Sequence, residues 1–133
     1  MARRLILDTG VLVRAERGAA DLAALLEGSD DASVAAVTVA ELHLGVELAS
    51  DANRERRQEF VDGILALVPV EDYDADTARI HARLLAHVRR TGKPRGARDL
   101  IIAATAAATA RTIVTSDAKA FFGDLPGVHA ITL

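Results

Sequence analysis

With 133 residues and a formal net charge of −3, the chain predicts one domain spanning residues 1–133. That length buries about two thirds of the unfolded surface without covalent staples, and the charge argues against a binder that works by bulk positive potential. The lack of cysteine excludes disulfides and thiolate metal sites, leaves oxygen atoms and four histidines as possible metal ligands, and fits a reducing compartment. One Tyr, three Phe and no Trp argue against a base-stacking platform of the single-strand-binding kind.

Arg3 to Leu7 reads as a first strand, closed by the turn chemistry of Asp8-Thr9-Gly10 ahead of apolar Val11-Leu12-Val13. Asp8 therefore sits at the carboxyl end of a buried strand. The acid follows only three apolar residues, too soon for a signal peptide or membrane span, which predicts a cytosolic protein. The arginine and alanine bias is in keeping with a GC-rich bacterial genome. Ala19 to Leu26 has helical composition and a stop at Gly28. Ser33 to Val37 reads as a second strand, followed at once by Thr38-Val39-Ala40-Glu41, which opens a helix to about Ser50 with Leu42, Val46 and Ala49 on one face.

Asp51 to Leu65 predicts another helix, its charged block Asn53 to Glu59 facing solvent. Leu67 to Val70 is a short third strand that Pro69 favours at a sheet edge. Asp74 to Arg90 is a helix with Ala78, Ala82, Leu85 and Val88 at helical spacing, stopped by Thr91-Gly92-Lys93-Pro94. The stretch Gly96 to Asp117 organises the rest. It joins a helix that is apolar nearly all round, hence buried, to the strand Thr112–Thr115, with Asp99 in the first helical turn and Asp117 just past the strand. A helix followed by a strand makes two antiparallel passes, so these carboxylates are expected to need other parts of the fold to meet. A short helix from Ala118 to Phe122, a loop from Gly123 to Gly127 and a last strand from Val128 to Thr132 complete the chain.

Alternating strands and helices predict an α/β fold, a five-stranded, mostly parallel sheet covered on both faces. In such sheets ligands collect beyond the carboxyl ends of the strands, where Asp8, Glu41 and Asp117 lie. Each acid has a purely structural explanation. Thr38 and Glu41 match a capping box, Asp99 complements a helix dipole, Asp117 caps the helix from Ala118, and Asp8 makes an Asx-turn with Gly10. Taken together, the four converge naturally only on a shared cation, since like charges a few ångströms apart resist joint ionisation. Oxygen donors without cysteine point to Mg²⁺ or Mn²⁺ rather than zinc. The four histidines show no metal-binding spacing, and no GxGxxG, GxxxxGK[ST] or GxSxG motif is present. Arg89, Arg90, Lys93, Arg95 and Arg98 form a basic run without an acid; Arg95 and Arg98 flank Asp99 and are placed for phosphate contact.

LILDTGVL around Asp8, VTVAELHLGV around Glu41, RDLIIAATA around Asp99 and IVTSDAKAF around Asp117, in this order and spacing, resemble the PIN-domain ribonucleases of the VapC toxin branch. The resemblance spans nearly the whole chain. It implies a three-layer α/β/α fold with the four acids gathered as a Mg²⁺ site in which Mn²⁺ also serves. It further implies endonucleolytic hydrolysis of a structured RNA such as tRNA or rRNA, a second copy of the toxin as partner, and a VapB antitoxin that covers the site. Asp8 and Asp99 are then expected to hold the principal metal, Glu41 and Asp117 to complete the cage, and Thr9, Thr115 and Ser116 to donate to the carboxylates. Gly10 stands where the family often has Asn or Ser, and Ser116 where it often has Arg or Asn. Two other readings are a receiver-like phosphoacceptor domain, which needs an acidic pair after the first strand, and a non-catalytic module whose acids only cap helices.

Overall fold

The computed structural model describes residues 2–18, 22 and 28–133; the helix expected over residues 19–26 lies almost wholly outside these. Five strands, β1 (Arg4–Leu7), β2 (Asp31–Ala35), β3 (Val70–Glu71), β4 (Thr112–Thr115) and β5 (Ala130–Thr132), form one sheet in the order β3-β2-β1-β4-β5. All pairings are parallel. The chain thus winds outward from β1 through β2 to β3, then returns to lay β4 and β5 on the opposite side of β1. The crevice at the β1–β4 switch point is where open parallel sheets take their ligands. A receiver domain has the order 2-1-3-4-5, so the phosphoacceptor reading fails on topology.

Alternation along the strands builds two cores. Leu5, Leu7, Val34 and Val114 face one side, against α1 (Thr9–Glu16), α2 (Ala36–Glu47) and α3 (Asp51–Leu67) through Val11, Leu12, Leu42, Val46, Val61 and Ile64. Ile6, Ala35 and Ile113 face the other, against α4 (Ala75–Thr91) and α5 (Ala97–Ala108) through Leu84, Leu100, Ile102, Ala103 and Ala106. The result is the predicted α/β/α arrangement. Helix α5 is buried round most of its circumference, as its all-round apolar sequence requires. Among the described residues no helix is long and apolar enough to cross a membrane.

Several boundaries differ from the sequence reading. Residues 9–16 are helical rather than a turn, because Asp8 has extended backbone and its Oδ1 accepts from Thr9 N at 2.8 Å, capping α1. Strand β2 starts at Asp31, in register with Arg4, and α2 starts at Ala36, so Val37 is helical. Strand β3 shrinks to two residues at the sheet edge because α3 runs on to Leu67. The inner face of α4 is Thr77 and Leu84 with Ile80, Leu85 and Val88, while Ala82 faces solvent. The C-cap glycine of α4, Gly92, has φ 67°, a conformation that glycine adopts without cost.

Candidate active site

Asp8, Glu41, Asp99 and Asp117 line one open cleft of about 820 Å³ at the carboxyl end of the sheet, together with Thr9, Gly10, Arg14, Arg17, Gly96, Arg98 and Ser116. Asp8 leaves β1 and Asp117 follows β4 at the switch point, Glu41 lies one turn into α2, and Asp99 is in the first turn of α5. The expectation that Asp99 and Asp117 need other elements to meet is corrected here. Two antiparallel passes of matched length return the end of the second to the start of the first. Twelve helical residues rise about 18 Å, and β4 with its preceding turn retraces most of that distance. Asp117 accordingly contributes electrostatically at Asp99.

Each acid is held by its surroundings. Asp8 is 8 % exposed; besides capping α1, it accepts from Thr115 Oγ1 at 2.9 Å through Oδ2. Burial pushes its pKa up, the bonds from Thr115 and Thr9 oppose that, and the charges of Glu41 and Asp117 add to it. Asp99 is also raised, first by burial and then by the charges of Asp8, Asp117 and Glu41, with Arg95 pulling the other way. Asp99 packs so tightly over the helix entry that a Cβ on Gly96 would come 3.0 Å from its Oδ2; glycine there gives the carboxylate its place.

Glu41 is not half of a capping box. The helix begins at Ala36 with Ala35 as its cap residue, which puts Thr38 inside the first turn, buried, with its hydroxyl 3.4 Å from Thr9 Oγ1. Glu41 instead accepts from Thr9 Oγ1 at 3.0 Å and from Arg98 at 2.9 Å. Asp117 accepts from Lys119 N at 2.9 Å and caps a short 3-10 turn, Ala118–Ala120, so the capping explanation and the cleft position both hold. The proposed Asx-turn of Asp8 with Gly10 is replaced by the cap onto Thr9.

Thr9 and Thr115 donate to carboxylates. Ser116 lines the cleft instead beside Gly10, where a Cβ would lie 3.1 Å from its Oγ; the two positions that depart from the commonest family pattern are therefore neighbours in space. Among the described residues no three His, Asp or Glu side chains already enclose a point as an ion's cage would. Glu41 is turned toward Arg98, and Asp117 toward its own backbone. The residues that could close on an ion are Asp8, Asp99, Glu41 and Asp117, an all-oxygen set suited to a hard divalent cation.

Sequence reading missed two cations of this site. Arg14 and Arg17, on and just after α1, line the cleft, and neither belongs to a basic run that would draw attention. Arg95, expected at phosphate, is instead largely covered, its Nη1 donating to Ala120 O at 3.0 Å.

The PIN-domain family profile matches residues 5–126. The chain belongs to the PIN-domain family. Ribonuclease VapC5 of Mycobacterium tuberculosis is 35% identical over 131 residues, covering 96% of this chain and 92% of the relative. The tRNA(fMet)-specific endonuclease VapC of Shigella flexneri is 32% identical over 88 residues, 66% of this chain and 65% of the relative. The crystal structure of VapBC-5 from Mycobacterium tuberculosis, a member of the VapBC family of toxin-antitoxin systems, superposes with a TM-score of 0.80 at 30% identity, covering 98% of each chain. Within the PIN family the chain falls in the VapC ribonuclease branch.

Proposed function

We propose that the chain is the toxin of a type II toxin–antitoxin pair, an endoribonuclease that hydrolyses phosphodiester bonds of a structured cellular RNA with Mg²⁺ or Mn²⁺ as cofactor. The observation that carries this reading is the convergence of four carboxylates from four separate segments on one cleft at the switch point. Burial and mutual repulsion hold Asp8 and Asp99 above the ordinary carboxylate range, an electrostatic deficit that a bound cation relieves. Asp8, Asp99, Glu41 and Asp117 would hold such an ion, which would supply Lewis acidity at the scissile phosphate and acidify a water for attack.

The chain's own residues do the remaining tasks. Thr115 and Thr9 fix the rotamers of Asp8 and Glu41. Arg14, Arg17 and Arg98 give the cleft a cationic rim for the RNA backbone in a molecule whose net charge is negative. Arg17 also lines an adjoining cavity with Arg56 and Arg57, which extends that rim. In-line hydrolysis at such a site would leave a 5′-phosphate and a 3′-hydroxyl, as the resemblance to VapC ribonucleases implies. The tRNA-specific relative supports tRNA as the substrate class, and the toxin–antitoxin complex of similar fold supports a VapB-type antitoxin as partner; a second copy of the chain is the further partner that the resemblance implies.

Inducing the wild type and Asp8→Ala in cells and mapping new RNA 5′ ends tests the reading. Growth arrest with discrete cuts from the wild type alone is the expected outcome; cuts of equal number and position from Asp8→Ala refute it.

A further inference from the structure

Phe121 is 56 % exposed, yet its backbone sits at φ 49°, ψ 43°, in the left-handed region that a bulky side chain disfavours. It joins two 3-10 turns, Ala118–Ala120 and Phe122–Asp124. The reversal sends Phe122 into the core at 2 % exposure and leaves Phe121 outside. A half-exposed phenyl ring on strained backbone is a local cost that the fold retains, so its surroundings indicate its purpose.

Two independent observations describe those surroundings. The Arg95 guanidinium lies over the ring, 5.5 Å from its centroid, a cation–π contact. It is held by Ala120 O and by Asp124 at 3.9 Å, with only 10 % of the side chain exposed and its Nε buried without a hydrogen-bond partner. Phe121 shares a cavity of about 220 Å³ with Asp117 and Thr115 of the acid site. It also shares a second cavity with Lys93 and Pro94. An aromatic ring backed by Arg95 therefore borders one cavity with a site acid and another with an exposed cation.

We propose that Phe121, backed by Arg95, is a nucleobase subsite: an unpaired base of the RNA next to the scissile phosphate stacks on the ring, and Lys93 meets the adjoining phosphate. This rests on the nuclease reading above. Proteins read RNA mainly at unstacked nucleotides, and an aromatic face accepts any base. The subsite therefore selects an unpaired nucleotide beside the cut rather than a particular base. A protein side chain is the competing occupant, and the test separates the two.

RNA stem-loops carrying 2-aminopurine at successive loop positions are titrated, with Ca²⁺ present, against the wild type, Phe121→Asn, Phe121→Leu and Phe121→Trp. Cleavage of the same RNAs by the wild type is followed in Mn²⁺. Asn accepts left-handed backbone, so Phe121→Asn retains the fold, and Phe121→Leu keeps the bulk without the π face. The expected result is quenching at one position beside the cut, kept by Phe121→Trp and lost in both other variants with about ten- to a hundredfold weaker binding. Cleavage by the wild type without positional quenching, or unchanged binding by Phe121→Asn and Phe121→Leu, overturns the subsite, leaves the nuclease intact and assigns the ring to a protein partner. No cleavage of any RNA in Mn²⁺ overturns the nuclease reading and the subsite together.

Discussion

Arg98 and Glu41, 57 residues apart in the chain, are joined by a 2.9 Å ion pair inside the acid cleft. Thr9 holds the other Glu41 oxygen, so the Arg98 guanidinium sits where a divalent ion would compete with it for the Glu41 charge, and the ion gains most of Glu41 when Arg98 lets go. Arg98 then becomes free for a phosphate. The side chains are 63 % and 18 % exposed, so solvent screens the pair and it is worth about 1 kcal/mol or less. Arg98→Ala is expected to tighten Mn²⁺ binding by up to about fivefold while weakening RNA binding. Calorimetric titration with Mn²⁺ checks the first effect; weaker Mn²⁺ binding by the variant contradicts the competition.

Asp99→Asn removes a carboxylate whose ionised form is disfavoured by burial and by three neighbouring acids. The variant should keep its fold, melt a few degrees higher than the wild type in metal-free buffer, and lose RNA cleavage. Scanning calorimetry and a cleavage assay on the same preparation read both effects. A fully active, correctly folded Asp99→Asn protein sinks the metal scheme.

The pH dependence follows from the upward shifts of Asp8 and Asp99. Both groups bind their protons more tightly folded than unfolded. Their contribution to stability is therefore fully present below the ordinary carboxylate pKa and is lost as pH rises through their folded values. A divalent ion cancels the repulsion that appears above that window. Mn²⁺ should raise the melting temperature at pH 7.5 and do so less and less on acidification as the two carboxylates take up protons. Fluorimetric melts over a pH series decide it; a Mn²⁺ shift of the same size at every pH counts against the assignment.

Thr115 Oγ1 donates to Asp8 and also accepts from Asp117 N at 3.0 Å, linking two site acids through one hydroxyl. Thr115→Val keeps the volume and removes both bonds. Metal affinity should fall about ten- to a hundredfold, with Thr115→Ser restoring most of it. Equal Mn²⁺ affinity in all three proteins dissociates the hydroxyl from the site.

Arg111 is a buried brace rather than a site residue. Its guanidinium bonds Leu5 O, Asp31 O, the Asp31 carboxylate and Glu71, tying the start of β4 to β1, β2 and β3. Removing it takes a partner from two carbonyls and from Glu71 and leaves Asp31 only its exposed pair with Arg4, so Arg111→Ala should cost about 3 kcal/mol. Urea unfolding checks this against Arg79→Ala, whose exposed pair with Asp76 is expected to contribute far less.

Much of this protein was determined by local pattern in the sequence. The buried run of α5 and the β-branched run of β4 announce themselves because apolar periodicity is a property of neighbouring residues, and the acids after β1 and β4 sit where turn and cap chemistry follows a buried strand. The four motifs in their order also marked the family. Tertiary structure alone decided the rest. Strand order, which excludes the receiver fold and sets Asp8 beside Asp117 at a switch point, depends on pairings between distant segments that no window of residues contains. The release of Glu41 from its apparent capping box required a helix capped at Ala35 rather than Thr38, three residues early, and its pairing with Arg98 required α5 to run back beside α2. Arg95 looked like a free phosphate ligand in a basic run, yet packing laid it over Phe121. Whether a charge meets solvent, substrate or another side chain is settled by which surfaces the fold covers, and that information is not local.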